Sequence, residues 1–236
     1  MSQKFEPLQY GKYYHIYNRA VGKENLFRQT TNYEHFLGLY DKYIEPVAET
    51  YAWCLMPNHF HFLVRIKDEE EIDYLPPKKL NPDGSGRPRQ ERLKQKTADV
   101  EYLSGPASCR ADRVYTKKKP IPVKQFSHLF NAYTKAYNIR YKRSGALFQR
   151  PFQRIRITHE KYFRNMVWYI HNNPVHHGFV EHMLGYPWTS YQTMISVKPT
   201  KTHREKVLGW FNSKNEFQVF HRENQNIKDI IRFIIE

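Results

Sequence analysis

Four short segments of the chain are rich in β-branched and aromatic residues or alternate polar with apolar positions. Such patterns are typical of β-strands, in which successive side chains point to opposite faces. The predicted strands lie at 12–18, 49–56, 59–66 and 153–157. The Pro57-Asn58 pair between the second and third strands predicts a tight turn, so these two strands are expected to pair as a hairpin.

Longer segments place apolar residues at the spacing of one face of a helix. They predict helices at 31–45, at 122–142 and at 203–212. Another helix is predicted after Thr158, a residue suited to the N-cap position. We expect this helix to run to about Asn172 and to be ended by Pro174.

The order of these elements predicts an α+β fold. Strand, helix, two strands, helix and strand match a ferredoxin-like β-α-β-β-α-β antiparallel sheet, with the helix after Thr158 added to it. Blocks of charge and Pro/Gly clusters predict a long insertion at 67–120. We expect a catalytic domain at 1–192 that contains this insertion, and a small helical appendage at 193–236.

Charge points to the kind of partner. The chain of 236 residues carries 38 Lys and Arg against 23 Asp and Glu, a net charge of +15, which favours a polyanion. Nucleic acid is favoured over an anionic membrane because no isolated basic amphipathic segment stands out, and the 16% aromatic content suits stacking on single-stranded bases. A basic protein without such a partner remains the alternative.

Other features bear on the compartment. No run of eighteen apolar residues is present, so no membrane span is expected. Two cysteines, Cys54 and Cys109, form no disulfide framework, and the start of the chain lacks an apolar signal region. These features predict a cytoplasmic protein.

The strand at 59–66 carries candidate chemistry. Its alternation places His59 and His61 on one face and Phe60 and Phe62 on the other. Imidazoles about 6–7 Å apart along a strand face are suited to binding one divalent cation. The alternative is a strand with two polar residues on its solvent face.

Two imidazoles leave a cation under-coordinated, so a third protein ligand is expected. Of the 18 tyrosines, only Tyr169 and Tyr14 have Asn, Gln, His, Asp or Glu four residues later. Tyr14 lies in a predicted strand, where such residues are more than about 10 Å apart. On a helix, Tyr169 and Asn173 share a face, which would place a phenol beside a bound cation. The alternative is that Tyr169 is one packed aromatic among many.

Four motifs resemble those of a known family. Met-Pro-Asn-His-Phe-His-Phe-Leu at 56–63 resembles the His-hydrophobic-His motif of the single-tyrosine transposases, which belong to the HUH single-strand endonucleases. Tyr-Tyr-His-Ile-Tyr-Asn at 13–18 resembles their first strand. The segments at 145–152 and 169–178 are most similar to those of the REP-associated tyrosine transposases.

This resemblance implies a DNA transposase that cleaves and rejoins hairpin-forming single-stranded DNA through a 5′-phosphotyrosine. Tyr169 would be the nucleophile, and His59, His61 and Asn173 would bind Mg²⁺ or Mn²⁺, although imidazole ligands do not exclude Zn²⁺. The family resemblance does not extend to the insertion at 67–120, so the target sequence and the choice between monomer and homodimer stay open. His171, on another helix face, is expected to be structural.

Basic residues near these motifs are candidates for phosphate contacts, with solvated surface charge as the alternative for each. They are Arg19, Lys135, Arg140, Lys142, Arg143, Arg150, Arg154 and Arg156. Two alternative functions are a nucleic-acid-binding protein that has lost cleavage and a related replication initiator or relaxase.

Overall fold

The computed structural model describes residues 7–74 and 118–223. The chain divides into two compact units, one of residues 1–73 and 120–236 and the other of residues 74–119. Most of the predicted insertion, and the end of the predicted appendage, therefore lie outside the described residues. All helices and strands given below belong to the first unit.

The first unit contains a four-stranded antiparallel sheet with the strand order β2-β3-β1-β4. The strands are β1 (Tyr13–Arg19), β2 (Ala48–Met56), β3 (His59–Ile66) and β4 (Gln153–Ile157). This is the order of a ferredoxin-like sheet, so the predicted fold class is confirmed. It makes β1 and β3 neighbours at the centre, which brings the Tyr-Tyr-His-Ile-Tyr-Asn motif beside the two predicted histidine ligands.

One face of the sheet is covered by α1 (Thr30–Tyr43) and α2 (Pro122–Arg140). Phe60 and Phe62 of β3 are buried in the same core as Phe36 of α1 and Tyr133 of α2. Burial of aromatic side chains of this size is a main source of stability for such a layer. It also fixes the register of β3, because a slip by one residue would bring both histidines into this core.

The opposite face of the sheet packs against α3 (Glu160–His176). Met166, Val167 and Ile170 of α3 share a core with Leu63 of β3 and Met56 of β2. The strand face that carries the two histidines is therefore the face that α3 crosses.

The start of α3 differs from the sequence prediction. The N-cap is His159, one residue beyond Thr158, and no side chain makes a capping hydrogen bond there. The preference of threonine for N-caps is worth only about 1 kcal/mol, which the packing of the helix on the sheet readily exceeds.

The predicted end of α3 was wrong by about one turn. The helix runs past Asn172 and through Pro174 to His176. A proline removes its own N–H from the helical ladder and its ring crowds the carbonyl four residues earlier, yet beyond it the N–H of His177 donates to the carbonyl of Asn173 at 2.9 Å. The extra turn places the C-cap residue His177 on the helical face that carries Asn173.

Three short helices follow, α4 (Tyr191–Ile195), α5 (Arg204–Trp210) and α6 (Lys214–Arg222). Phe211 and Phe217 are buried in the core that α3 forms with the sheet. These helices therefore pack against the outer side of α3. The helix predicted at 203–212 is α5. Within the described residues, no helix has the length and apolar character needed to cross a membrane.

Candidate active site

The predicted histidine pair lies where β3 passes under α3. The rings of His59 and His61 are 5.1 Å apart, measured between centroids, with their planes nearly perpendicular. His61 is buried and His59 is half-buried. The two imidazoles therefore share one face of the strand, as the alternation predicts. His61 lies at the inner end of the pair and His59 lies nearer the surface.

Helix α3 brings the predicted tyrosine and amide to this pair. The ring centroid of Tyr169 lies 5.5 Å from that of His61. Asn173, one turn further on, is buried and lies close enough to the His59 ring to raise the pKa of that imidazole. Its Nδ2 also donates to the carbonyl of Tyr169 at 2.8 Å. All four residues selected from the sequence thus meet in one place, although they come from segments more than 100 residues apart.

Burial and nearby positive charge keep both imidazoles neutral. The pKa of His59 is lowered to about 4, chiefly by burial and then by the charges of His177 and Arg19, while the nearby amide of Asn173 opposes these effects. Burial, followed by the neighbouring imidazole of His15, lowers the pKa of His61 well below its usual range. Neutral imidazoles offer the lone pairs that a metal ion requires.

The donor set fits a cation. His61 Nε2 is buried and has no hydrogen-bond partner among the described residues, so one imidazole nitrogen is left unpaired at the site. Within the described part of the chain, no three His, Cys, Asp or Glu side chains are grouped to hold a metal ion. A set of two imidazoles and the amide of Asn173 is a different donor set, suited to a divalent cation that accepts nitrogen and oxygen ligands.

The structure adds residues that the sequence analysis did not select. His15 of β1 lies 2.9 Å from His61, measured from Nε2 to Nδ1. Tyr17 stacks on His15, and the ring of the exposed His177 lies 5.1 Å from that of His59. His177 follows Asn173 by four residues, so extending the helical spacing by one more turn would have found it. No local pattern links His15 to His61, because strand order sets that contact.

His171 lies elsewhere, as expected for a structural residue. It is fully buried and bonded to Ser190 Oγ and to His221, at 2.8 and 3.1 Å. These contacts tie α3 to α6 and to the segment beside β2. His171 therefore anchors α3 to its neighbours, and it lies on a different face of the helix from Tyr169.

Arg19 is the basic candidate that the structure brings to this site. It is exposed and pairs with His59 in the register between β1 and β3, so both lie on the same face of the sheet. Its charge is close enough to lower the pKa of His59. A guanidinium at this position is suited to bind a phosphate next to the candidate ligands.

The other basic candidates lie away from Tyr169. Arg154 and Arg156 pair with Ile16 and Tyr14 and face the α2 side of the sheet. The remaining five lie on α2 or between it and β4, and they are Lys135, Arg140, Lys142, Arg143 and Arg150.

Several of these arginines also bond within the protein. Arg140 donates to Gln29 at 2.7 Å, and Arg150 donates to Asn131 at 3.4 Å. Arg143 pairs with Glu24. Contacts between any of the seven and DNA stay a prediction.

The fold of this chain, a ferredoxin-like sheet with an added helix, is similar to that of a protein of known structure. One solved structure, of a REP-associated tyrosine transposase bound to a REP hairpin, is similar to this chain with a TM-score of 0.54. The similarity covers 84% of this chain and 89% of that chain at 16% sequence identity. No family model and no curated protein matches the sequence.

Proposed function

We propose that this protein is a single-strand DNA endonuclease and strand transferase of the single-tyrosine transposase type. The observation that carries the proposal is the position of the Tyr169 ring, 5.5 Å from the ring of His61, with Asn173 close to His59 beside it. The similarity of the fold to a REP-associated tyrosine transposase and the four sequence motifs support the same assignment.

In the proposed reaction, the phenol oxygen of Tyr169 attacks the scissile phosphorus. The phenol loses its proton, an O–P bond forms to the 5′ phosphate, the bond from phosphorus to the 3′ oxygen breaks, and that oxygen takes up a proton. One phosphodiester is exchanged for another, so no external energy source is required for rejoining by a 3′ hydroxyl.

His59, His61 and Asn173 would hold a divalent cation, Mg²⁺ or Mn²⁺. When bound, the cation supplies polarisation of the phosphate and stabilisation of the charge that develops on it. The protein orients Tyr169 through α3, whose backbone carbonyl at this residue accepts the Asn173 hydrogen bond. Arg19 supplies positive charge on the exposed side of the same face.

The substrate we propose is DNA that folds into a hairpin next to a single strand. The net charge of +15 favours a polyanion, and the half-buried Tyr169 and His59 lie near the exposed Arg19 and His177. The competing functions are a nucleic-acid-binding protein without cleavage activity and a replication initiator or relaxase. A protein that only binds nucleic acid would not explain why Tyr169 lies beside the histidine pair.

A labelled oligonucleotide tests the proposal. Hairpin oligonucleotides with randomised single-stranded flanks and a 3′ label are incubated with the protein and Mn²⁺, and the products are separated on a denaturing gel. A 5′-phosphotyrosine retains the 3′ label on the protein, whereas a 5′ label is released on a fragment with a free 3′ hydroxyl. The adduct is expected in the wild type and absent in Tyr169→Phe.

The matched control is Tyr162→Phe, which removes a phenol from the same helix two turns earlier and should retain the adduct. Transfer of the cleaved strand to a second hairpin distinguishes a transposase from an initiator or relaxase. DNA binding without an adduct in either Mn²⁺ or Mg²⁺ would overturn the cleavage proposal and favour the binding protein.

A further inference from the structure

A cavity between α3 and α6 takes no part in the proposed reaction. Its volume is about 1090 Å³. Trp168, Asn172 and Val175 of α3 line one wall, and their i, i+4, i+7 spacing places them on one face of the helix. The segment at 180–185 and residues of α4 and α6 line the other walls. The cavity therefore borders the helix that carries Tyr169, but it is separate from the histidine pair.

The aliphatic side chains around this cavity are incompletely covered. Val175, Val180 and Ile195 are half-buried, and Leu184 is 56% exposed. Contact between such side chains and water is unfavourable in proportion to the apolar area exposed. A partner with an apolar surface would remove this area from water.

Trp168 gives an independent sign that the described residues do not complete the cavity. Its side chain is 4% exposed, yet its Nε1 has no hydrogen-bond partner among the described residues. An indole nitrogen is a donor only, and buried N–H groups without an acceptor are rare because they cost free energy. An occupant should therefore combine an apolar surface with an oxygen acceptor. A polypeptide segment has both.

The chain itself continues from the edge of this cavity. Helix α6 ends at Arg222, and Arg222 and Glu223 both line the cavity. The next residues along the chain are 224–236. Because no linker separates them from the cavity wall, their effective concentration there is high, on the order of mM. A partner in trans would have to compete with this segment.

The sequence of this segment suits the cavity. Ile or Phe occupies positions 227, 230, 231, 233, 234 and 235. Of these, 227, 230, 231 and 234 have the spacing of one face of a helix. Side chains of this kind are among those most often buried in proteins, so the segment requires an apolar surface to cover them.

We propose that the cavity between α3 and α6 is the docking site of residues 224–236 of the same chain. The isoleucines at 227, 230, 231 and 234 cover the half-buried aliphatic side chains of the cavity, and an oxygen of the segment accepts the hydrogen bond of Trp168. Docking ties α3 more firmly to α6. The inference does not depend on the proposed cleavage.

Photo-crosslinking in the full chain tests where the segment binds. The photoreactive residue p-benzoylphenylalanine replaces Ile231 and, as the control, its neighbour Arg232, which lies off the apolar face. Mass spectrometry then identifies the crosslinked peptides. From position 231 we expect a crosslink to Met183 in the cavity wall, in the monomer band of a denaturing gel, and from position 232 a much weaker one.

Three results would overturn the proposal. A crosslink to Met183 in a dimer band would identify a second copy of the chain as the occupant. Crosslinks from position 231 to peptides outside the cavity only, or no crosslink at all, would exclude docking there. An equal pattern from positions 231 and 232 would show contact without a preferred face.

Hydrogen exchange at Trp168 gives a second measurement in the full chain. The indole N–H signal in the nuclear magnetic resonance spectrum is assigned by its loss in Trp168→Phe. Ile230→Glu places a charge on the apolar face of the segment, so we expect this N–H to exchange about 10-fold faster or more. Gln225→Glu adds the same charge off that face and should leave the rate within about 2-fold of wild type. An equal exchange rate in wild type and Ile230→Glu would refute the docking of this face.

Discussion

The contact between α3 and α6 predicts a specific loss of stability in acid. His221 of α6 is buried, its Nδ1 donates to the carbonyl of Phe217 at 2.7 Å, and its Nε2 faces Nδ1 of His171 at 3.1 Å. Since Nδ1 of His221 holds its one proton, its Nε2 accepts from His171, and His171 in turn accepts from Ser190. Protonation of His221 would either set two N–H groups against each other or force His171 to move its proton to Nε2 and donate to Ser190.

Burial lowers the pKa of His221 from its ordinary value of 6.5 to about 3. Between these values the unfolded chain binds a proton that the folded chain does not, so stability rises with pH and is lost as the pH falls below 6.5. At pH 5 this group alone lowers the free energy of unfolding by about 2 kcal/mol relative to pH 8. For a chain of this length that corresponds to a decrease of roughly 4–8 °C in the melting temperature.

The assay is urea denaturation of wild type and His221→Gln at both pH values. We expect the variant to be less stable at pH 8, because it loses buried contacts. Its further loss on going to pH 5 should be smaller than that of the wild type by about 2 kcal/mol. His182→Gln, at an exposed position, should behave like the wild type. An identical dependence on pH in wild type and His221→Gln would refute the hydrogen-bond chain described above.

Three further variants test the site. Tyr17→Phe removes a buried hydroxyl without a partner among the described residues. Chemical denaturation should therefore show unchanged or higher stability, by up to about 2 kcal/mol, and the DNA adduct should persist. Loss of the adduct would make Tyr17 a competing nucleophile. Asn173→Leu should lower single-turnover cleavage by about 100-fold or more at nearly unchanged DNA affinity, and a rate within a few-fold of wild type would exclude Asn173 as a ligand. Arg19→Gln should weaken single-strand binding and reduce the slope of log K against log salt by about 0.7, measured by fluorescence anisotropy. Lys201→Gln is the control, because Lys201 is already paired with acidic side chains, and an equal effect of both variants would argue against a phosphate contact at Arg19.

Local periodicity explains which parts of the site were predictable. The alternation of His59 and His61 with two buried phenylalanines follows from the two-residue repeat of a strand, and the common face of Tyr169 and Asn173 follows from the helical repeat. Both are properties of the backbone that hold wherever the segment is placed. The strand and helix boundaries are predicted within a few residues for the same reason.

The C-terminal end of α3 shows where such rules are insufficient. Pro174 was expected to stop the helix, because a proline inside a helix costs about 3 kcal/mol, yet α3 continues through it to His176. Packing against the sheet decided the outcome, and the additional turn brought His177 near His59.

What the sequence determined by itself is therefore a set of short-range relations: two imidazoles on one strand face, a phenol and an amide on one helix face, and a strongly basic composition. Only the tertiary structure decided that α3 crosses the strand at those imidazoles, that His15 bonds His61, and that Arg19 alone of the basic candidates pairs with His59. The physical reason is that these contacts depend on strand order and on the packing of whole layers, which involve residues far apart in the chain.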